Sequence, residues 1–354
     1  MLLILSVGGD GIRLNHHERE MKMKITSKIL FSVASVATAL VVAGCGGSDT
    51  STSSSTSSAN EPKTLAVNMY SREIPYFQEI TKGIQEEVTK AGWTVDFTYG
   101  NVDPQQQIDQ VTNAITKKPD GLIVVPVDEN AIVPAITQAK AVGIPVMTMG
   151  DNIAESAAAE QVGFLGVNYE DLGKEKAEYI VKQLGGKGKV GVIHGIRGLN
   201  FTEAQIKGAA PVWEANPGVT VVDGPFTGGF TSDKGLSATE NLLSRAADLN
   251  AIMFDNDDIA LGGIKALQGR GIDLKDVLLV GTDGGPAALA AVKAGQLDMT
   301  VSLCGFKQGK DVVGLYEKLL NDGQAPPPIT YTPTLEFTPE NIGTEIAQVK
   351  DGDC

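Results

Sequence analysis

Apolar and polar residues alternate in two regular ways along the first half of the chain. Short apolar runs at 65–69 and 121–125 have the length of buried strands, whereas 76–91 and 104–117 show the three- and four-residue spacing of amphipathic helices. Two more strands and a helix are predicted at 94–99, 146–149 and 129–142. Strands separated by helices of this length indicate a parallel sheet with helices on both faces.

The same alternation begins again in the second half of the chain. Helices are predicted at 171–184, 202–215, 233–247, 259–269 and 286–294. Strands are predicted at 189–193, 219–222, 251–254, 277–280 and 299–303. Two doubly wound units predict two α/β lobes with a ligand cleft between them. Ligands of such sheets bind beyond the carboxyl ends of the strands, so we expect the loops there to carry function.

The N-terminal region has the order of an export signal. Lys22, Lys24 and Lys28 precede an apolar run at 29–42, and small residues then surround Cys45. This run is too short for a spanning helix and resembles the bacterial lipoprotein signal, in which the lipidated cysteine becomes residue one. The alternative is an ordinary secretory signal with an incidental cysteine, although no Ala-x-Ala site is nearby.

The segment after Cys45 predicts a tether. Residues 46–60 are almost entirely Gly, Ser, Thr, Asp and Ala, which cannot bury enough apolar surface to fold. We interpret 1–20 as preceding the true start at Met21 or Met23, 21–44 as the signal peptide, and 45–61 as lipidated cysteine plus tether. The expected location is therefore extracytoplasmic, lipid-anchored to the cell membrane.

The composition argues against several classes of protein function. The net charge of −14 argues against a nucleic-acid partner, which requires a basic face. Beyond residue 60 the sequence holds one histidine, His194, which argues against catalytic triads and histidine-rich metal sites. The spacing of Gly186, Gly188 and Gly191 fits a dinucleotide fingerprint, but these glycines precede a strand. We expect no cofactor, no metal and no catalytic residue.

Two cysteines remain after Cys45. The surroundings outside the membrane are oxidising, so a disulfide between Cys304 and Cys354 is the favoured prediction, with two free thiols as the alternative.

Four motifs, in the same order, resemble the ribose-type periplasmic binding proteins, which are the solute receptors of sugar ABC importers. They are Glu-Ile-Pro-Tyr-Phe at 73–77, Gly-Ile-Pro-Val-Met-Thr at 143–148, Phe-Asp-Asn-Asp-Asp-Ile-Ala-Leu-Gly at 254–262 and Val-Gly-Thr-Asp-Gly at 280–284. The resemblance implies the type 1 fold, two lobes joined by a three-segment hinge. The N-terminal lobe would be 62–167 plus 304–332, and the C-terminal lobe 168–303 plus 333–354.

The resemblance also implies a set of ligand-binding residues. Tyr76, Phe77 and Phe230 match aromatic side chains that hold the faces of a sugar ring, and Asn256 and Asp283 match polar ligands of its hydroxyls. The alternative roles are core packing for the aromatic residues and helix capping for Asn256 and Asp283.

Two departures from the family change the expected ligand. Asp151 follows Gly150 where ribose-type receptors have Asp-Arg, and Glu203 stands in place of a second arginine. Losing two arginines removes the planar donors of bidentate sugar recognition, which argues against ribose itself. An acidic cleft with aromatic rings suits an amino sugar, a polyol or a cationic solute.

These features predict a monomeric receptor that closes on a sugar or polyol and presents it to an ABC permease without chemical change. Two alternatives stay open: a secreted hydrolase that uses two carboxylates, and a sensory receptor of the same fold that binds an amine or amino sugar.

Overall fold

The computed structural model describes residues 62–343 and 354. The predictions for the translation start, signal peptide, Cys45 and tether concern residues outside this part, as do residues 344–353 of the predicted C-terminal lobe. Within the described part, no helix is both long enough and apolar enough to cross a membrane.

The first sheet has six parallel strands in the order β2-β1-β3-β4-β5-β11. Strands β3 and β4 lie in the middle of the sheet and are buried at every position, as expected for strands covered by helices on both faces. The strands are β1 Thr64–Met69, β2 Thr94–Tyr99, β3 Gly121–Val124, β4 Val146–Met149, β5 Gly163–Gly166 and β11 Ile329–Tyr331.

The second sheet repeats this order as β7-β6-β8-β9-β10-β12, and only its last strand, β12, is antiparallel to its neighbour. The strands are β6 Gly188–His194, β7 Val219–Phe226, β8 Ala251–Phe254, β9 Leu278–Asp283, β10 Met299–Ser302 and β12 Leu335–Phe337. The repeated order confirms the predicted pair of doubly wound parallel-sheet lobes.

Nine α-helices accompany the strands in the described part of the chain. They are α1 Pro75–Lys90, α2 Pro104–Thr116, α3 Val133–Ala141, α4 Tyr169–Gln183, α5 Asn200–Ala215, α6 Ser232–Arg245, α7 Asp257–Gly269, α8 Pro286–Lys293 and α9 Gly305–Asp322. Helix α1 packs against α9 through Gly83 and Gly309, where a methyl group would overlap the backbone of the facing helix. The absence of side chains at these two positions lets the helices approach closely.

The chain passes between the two sheets three times. It leaves the first sheet after β5 to form β6, returns from β10 to β11, and passes again from β11 to β12. The last passage is short, with only residues 332–334 between the strands. Several connections between the same two lobes are a geometry that permits hinge motion.

Several elements differ from the sequence predictions. Strand β5 and the two edge strands β11 and β12 are only three or four residues long and were not predicted. Helix α9 was not predicted either, because its three glycines weaken the helical pattern. The helix predicted from 129 begins only at Val133. Asp128 turns the backbone there by accepting hydrogen bonds from the amides of Asn130 and Ala131 at 2.9 and 2.8 Å.

Candidate functional site

A cavity lies between the two lobes, where the carboxyl ends of the strands of both sheets meet. Most of the wall is aromatic or aliphatic, with three polar side chains among the lining residues. The lining residues are Tyr70, Ile74, Tyr76, Phe77, Asp151, Tyr169, Leu199, Phe201, Phe230, Asn256, Asp283 and Leu303.

Two groups of aromatic side chains face the cavity, one from each lobe. In the first lobe, Phe77 stacks on Tyr70 with ring centroids 5.3 Å apart. In the second lobe, Phe201 meets Tyr169 and Phe230 edge to face, at 5.0 and 5.6 Å. The cavity therefore offers aromatic rings from both lobes, the arrangement that suits the apolar faces of a sugar or polyol.

The local sequence explains the position of the first-lobe rings. Pro75 is the first residue of α1, a position where its fixed φ favours helix initiation. Tyr76 and Phe77 therefore lie in the first helical turn, next to the end of β1, and both are 8% exposed. The Tyr76 hydroxyl donates a hydrogen bond to Gln308 Oε1 at 3.0 Å, which ties α1 to α9.

Asn256 and Asp283 form one polar unit at the ends of β8 and β9. Asn256 is the N-cap of α7, because its Oδ1 accepts a hydrogen bond from the amide of Ile259 at 3.1 Å. Its Nδ2 donates to Asp283 Oδ2 at 3.1 Å. Asn256 thus caps a helix and lines the cavity, so the two roles proposed for it are compatible.

The backbone at Asp283 is strained. Its φ of +122° is unusual for a residue with a side chain, and Gly284 follows with φ +71°. The Gly284 amide donates to Asp257 Oδ2 at 2.9 Å, and Asp257 also accepts a hydrogen bond from Thr300 at 2.8 Å. Burial and the neighbouring Asp257 raise the pKa of Asp283 well above its ordinary value. This strained turn holds a carboxyl group at the cavity wall.

Asp151 is the polar residue that the first lobe contributes. It follows Gly150, whose φ of +70° turns the chain after β4, and the Tyr169 hydroxyl donates to the Gly150 carbonyl at 2.9 Å. Asp151 is 8% exposed, and its Oδ1 has no hydrogen-bond partner among the described residues. Burial raises the pKa of Asp151 to about 7, and the negative charge of Glu129 acts in the same direction. A hydrogen bond with Asn200 lowers this pKa but does not offset the effect of burial.

A buried lysine forms hydrogen bonds with the strands and the helix of the second lobe that carry the cavity wall. Lys176 Nζ donates to Gln205 Oε1, the Phe254 carbonyl and Thr282 Oγ1 at 2.7, 2.7 and 2.8 Å. Burial lowers its pKa to about 8, although nearby carboxylates, Asp255 first among them, act in the opposite direction. Lys176 thus joins β8, β9 and α5 beneath the cavity.

Six of the seven predicted ligand-binding residues line the cavity, and Glu203 does not. Glu203 is exposed in the first turn of α5, and its Oε1 accepts a hydrogen bond from the Gly198 amide at 2.7 Å. The geometry therefore gives Glu203 a capping role instead of the predicted ligand contact. The prediction was wrong because helix periodicity turns position 203 away from Phe201, which does line the wall.

Sequence reasoning also missed several wall residues. Tyr70 directly follows β1, and Tyr169 directly follows the N-cap of α4, shortly after β5. Both positions lie near strand ends, where ligands of such sheets bind. Lys176 had a weaker signal. It stands four residues after Leu172 and four before Ile180, on the buried face of α4, where a charged residue needs internal partners.

Cys304 and Cys354 form a disulfide, with Cα atoms 4.3 Å apart and both residues buried. Cys304 is the N-cap of α9 and directly follows Leu303 of the cavity wall. The bond therefore holds residue 354 beside the second passage between the sheets. Among residues 62–343 and 354, no three His, Cys, Asp or Glu side chains are placed to hold a metal ion.

Comparisons with known proteins agree with this architecture. The family model described as a periplasmic binding protein domain matches residues 65–325. The ribose import binding protein of Bacillus subtilis (strain 168) is 31% identical over 239 residues, 68% of this chain and 75% of that protein. A xylitol-binding protein of Mycolicibacterium smegmatis is 29% identical over 277 residues, 77% of this chain and 75% of that protein.

A solved structure is similar to this chain in its three-dimensional fold. The crystal structure of a periplasmic ribose ABC transporter protein from Conexibacter woesei is 37% identical in sequence, with a TM-score of 0.75. The comparison covers 82% of this chain and 97% of that one. The similarity thus spans both lobes.

Proposed function

We propose that this chain captures a sugar or polyol outside the cytoplasm and delivers it to an ABC importer. The chain belongs to the ribose-type periplasmic binding proteins. One observation carries the proposal. Aromatic rings and strand-end polar groups from both lobes line a single cavity between them, with Phe77 on one side and Phe230 on the other. The ring faces suit the C–H surfaces of a sugar, and Asp151, Asn256 and Asp283 suit its hydroxyl groups.

Capture follows from the position of the cavity. A ligand that contacts both lobes stabilises the closed arrangement by its differential affinity, and the closed arrangement is the form that a permease would recognise. The three passages between the sheets provide the hinge. We propose the lobe boundaries given by the sequence: 62–167 plus 304–332, and 168–303 plus 333–354.

Thermal unfolding and calorimetric titration of the full chain test ligand capture. The probes are ribose, xylitol, allose and myo-inositol. A ligand at a thousand times its dissociation constant adds about 4 kcal/mol to the free energy of unfolding, a shift of several degrees. Phe230→Ala should weaken binding, whereas Tyr331→Ala, at an exposed ring outside the cavity, should leave it unchanged. No shift with any sugar or polyol would contradict the proposal.

The receptor changes no bond of its ligand in this proposal. Asp151 and Asp283 both line the cavity, so a carboxylate hydrolase is the competing function. Overnight incubation with the bound compound, followed by NMR, should return it unaltered, while Asp283→Asn weakens binding. Steady formation of a hydrolysis product would establish the enzyme instead. Uptake of labelled ligand by cells with and without the gene separates transport from a purely sensory role.

We also propose that the protein is a monomer anchored by lipid on Cys45. The support is the order of basic, apolar and small residues before that cysteine and the polar tether after it. Mass spectrometry of the mature protein should find Cys45 as the first residue, carrying lipid, and Cys45→Ser should release the protein from the membrane fraction. A mature terminus elsewhere would contradict the anchor. Light scattering in detergent measures the oligomeric state.

A further inference from the structure

The buried carboxyl group of Asp151 has no ion-pair partner among residues 62–343 and 354. Its Oδ1 has no hydrogen-bond partner in the described part of the chain, although the residue is only 8% exposed. The charged neighbour that acts on it is Glu129, which has the same sign. A buried carboxylate without a nearby cation is costly, and a cation supplied from outside the chain would remove that cost.

The polar groups of the cavity wall are mainly acceptors. The hydroxyls of Tyr76 and Tyr169 and the amide of Asn256 already donate to oxygen atoms of the protein. The residues that line the central cavity include no lysine, arginine or histidine. A ligand ammonium brings three donors and no acceptor, whereas each hydroxyl of a neutral polyol brings an acceptor along with its donor. The wall is thus better matched to an ammonium group.

Aromatic rings lie around this carboxyl group. The negative charge of Asp151 contributes to raising the pKa of Tyr70, Tyr76 and Tyr169, although burial is the main cause for each. All three rings line the cavity. The electron-rich faces of such rings attract a cation, and the attraction is stronger when water is excluded.

The approach to Asp151 is also acidic. An adjacent cavity shares Asp151 with the central one and is lined by Asp128 and Glu129. Its one basic residue, Arg197, places its guanidinium 3.7 Å from the centroid of the Phe226 ring. Clefts with an excess of one sign raise the local concentration of oppositely charged ligands.

We propose that the ligand carries a protonated amine, which pairs with Asp151 among the rings of Tyr70, Tyr76 and Tyr169. The substrate class is therefore amino sugars or amino polyols. This inference rests on the proposed function and narrows it, because the same cavity is used and only the chemistry of the ligand is specified.

Matched pairs of compounds that differ only in the amine test this inference. Calorimetric titration of the full chain compares glucosamine with glucose, galactosamine with galactose, and glucamine with sorbitol. We expect at least one amine to bind tenfold or more tightly than its neutral counterpart. Asp151→Asn should remove that preference, because it weakens binding of the amine more than binding of its neutral counterpart. Asp109→Asn, an exposed carboxyl group on α2, is the matched control and should keep the preference.

The outcomes separate this inference from the proposed function. Neutral members binding as tightly as their amines, or a preference that survives Asp151→Asn, would overturn the inference and leave the receptor intact. No binding by any sugar, polyol or amine would overturn both. An amine preference lost in Asp151→Asn and kept in Asp109→Asn supports both.

Discussion

The cavity carboxyl group of Asp151 should weaken the ligand-free fold at neutral pH. Burial raises its pKa to about 7, from the value of 3.8 that an aspartate has in an unfolded chain. A folded pKa above the unfolded one means that the native state binds the extra proton between these values. The contribution of Asp151 to stability is then most favourable below about pH 4, falls as the pH rises to about 7, and is level above that. The full difference amounts to about 4 kcal/mol at pH 8.

Asp151→Asn keeps the shape of the side chain and removes the ionisation. We therefore expect the ligand-free variant to be more stable than the parent at pH 8, by up to about 4 kcal/mol, or roughly 5–10 °C in unfolding temperature. At pH 4 the two proteins should differ by less than about 1 kcal/mol. Circular dichroism during heating at a series of pH values measures the difference between variant and parent, which cancels the contribution of other buried carboxyl groups.

The control is Asp109→Asn, which removes an exposed carboxyl group from the same lobe and should change stability little at any pH. An Asp151→Asn variant that is no more stable than the parent at pH 8 would show that the buried charge of Asp151 does not destabilise the fold. So would a gain of the same size at pH 4 and pH 8, because a pH-independent gain cannot come from the ionisation of this carboxyl group.

Three further changes test how the structure is held together. Lys176→Met leaves three buried acceptors unpaired and should cost about 3–5 kcal/mol in urea unfolding, whereas Lys174→Met at an exposed position should cost little. Tyr316→Phe removes a buried hydroxyl that accepts from one backbone amide and donates to a carbonyl, and should cost about 1–3 kcal/mol in the same assay. Replacing Cys304 and Cys354 with alanine opens a loop of sequence separation 50 and should cost about 4 kcal/mol. An unchanged urea midpoint in any of the three would contradict the contact named for it.

Most of the fold could be predicted because its central elements have simple periods. Strands such as β3 and β4 are short continuous apolar runs, and α1 and α2 repeat apolar residues every three or four positions. The short edge strand β11 has no such pattern. It exists because β5 offers a free edge with which Ile329–Tyr331 can pair, and that edge forms only after the sheet is assembled.

The sequence indicates those cavity residues that lie at or after the ends of strands. Phe77, Phe230, Asn256 and Asp283 follow or end strands, and all of them line the cavity. Glu203 does not line the cavity because it lies two residues from Phe201 in α5, on the opposite face of the helix, which is exposed to solvent.

The α/β class, the two lobes and the edge that forms the cleft follow from periodicity and chain order along the sequence. Only the folded lobes bury Asp151, which has no ion-pair partner in the described part of the chain, and surround Lys176 with its hydrogen-bond acceptors. Burial and partnership depend on residues far apart in the chain, such as Lys176 and Thr282, which come within hydrogen-bonding distance only when both sheet and helices are in place. The chemical preference of the site is therefore a property of the assembled lobes.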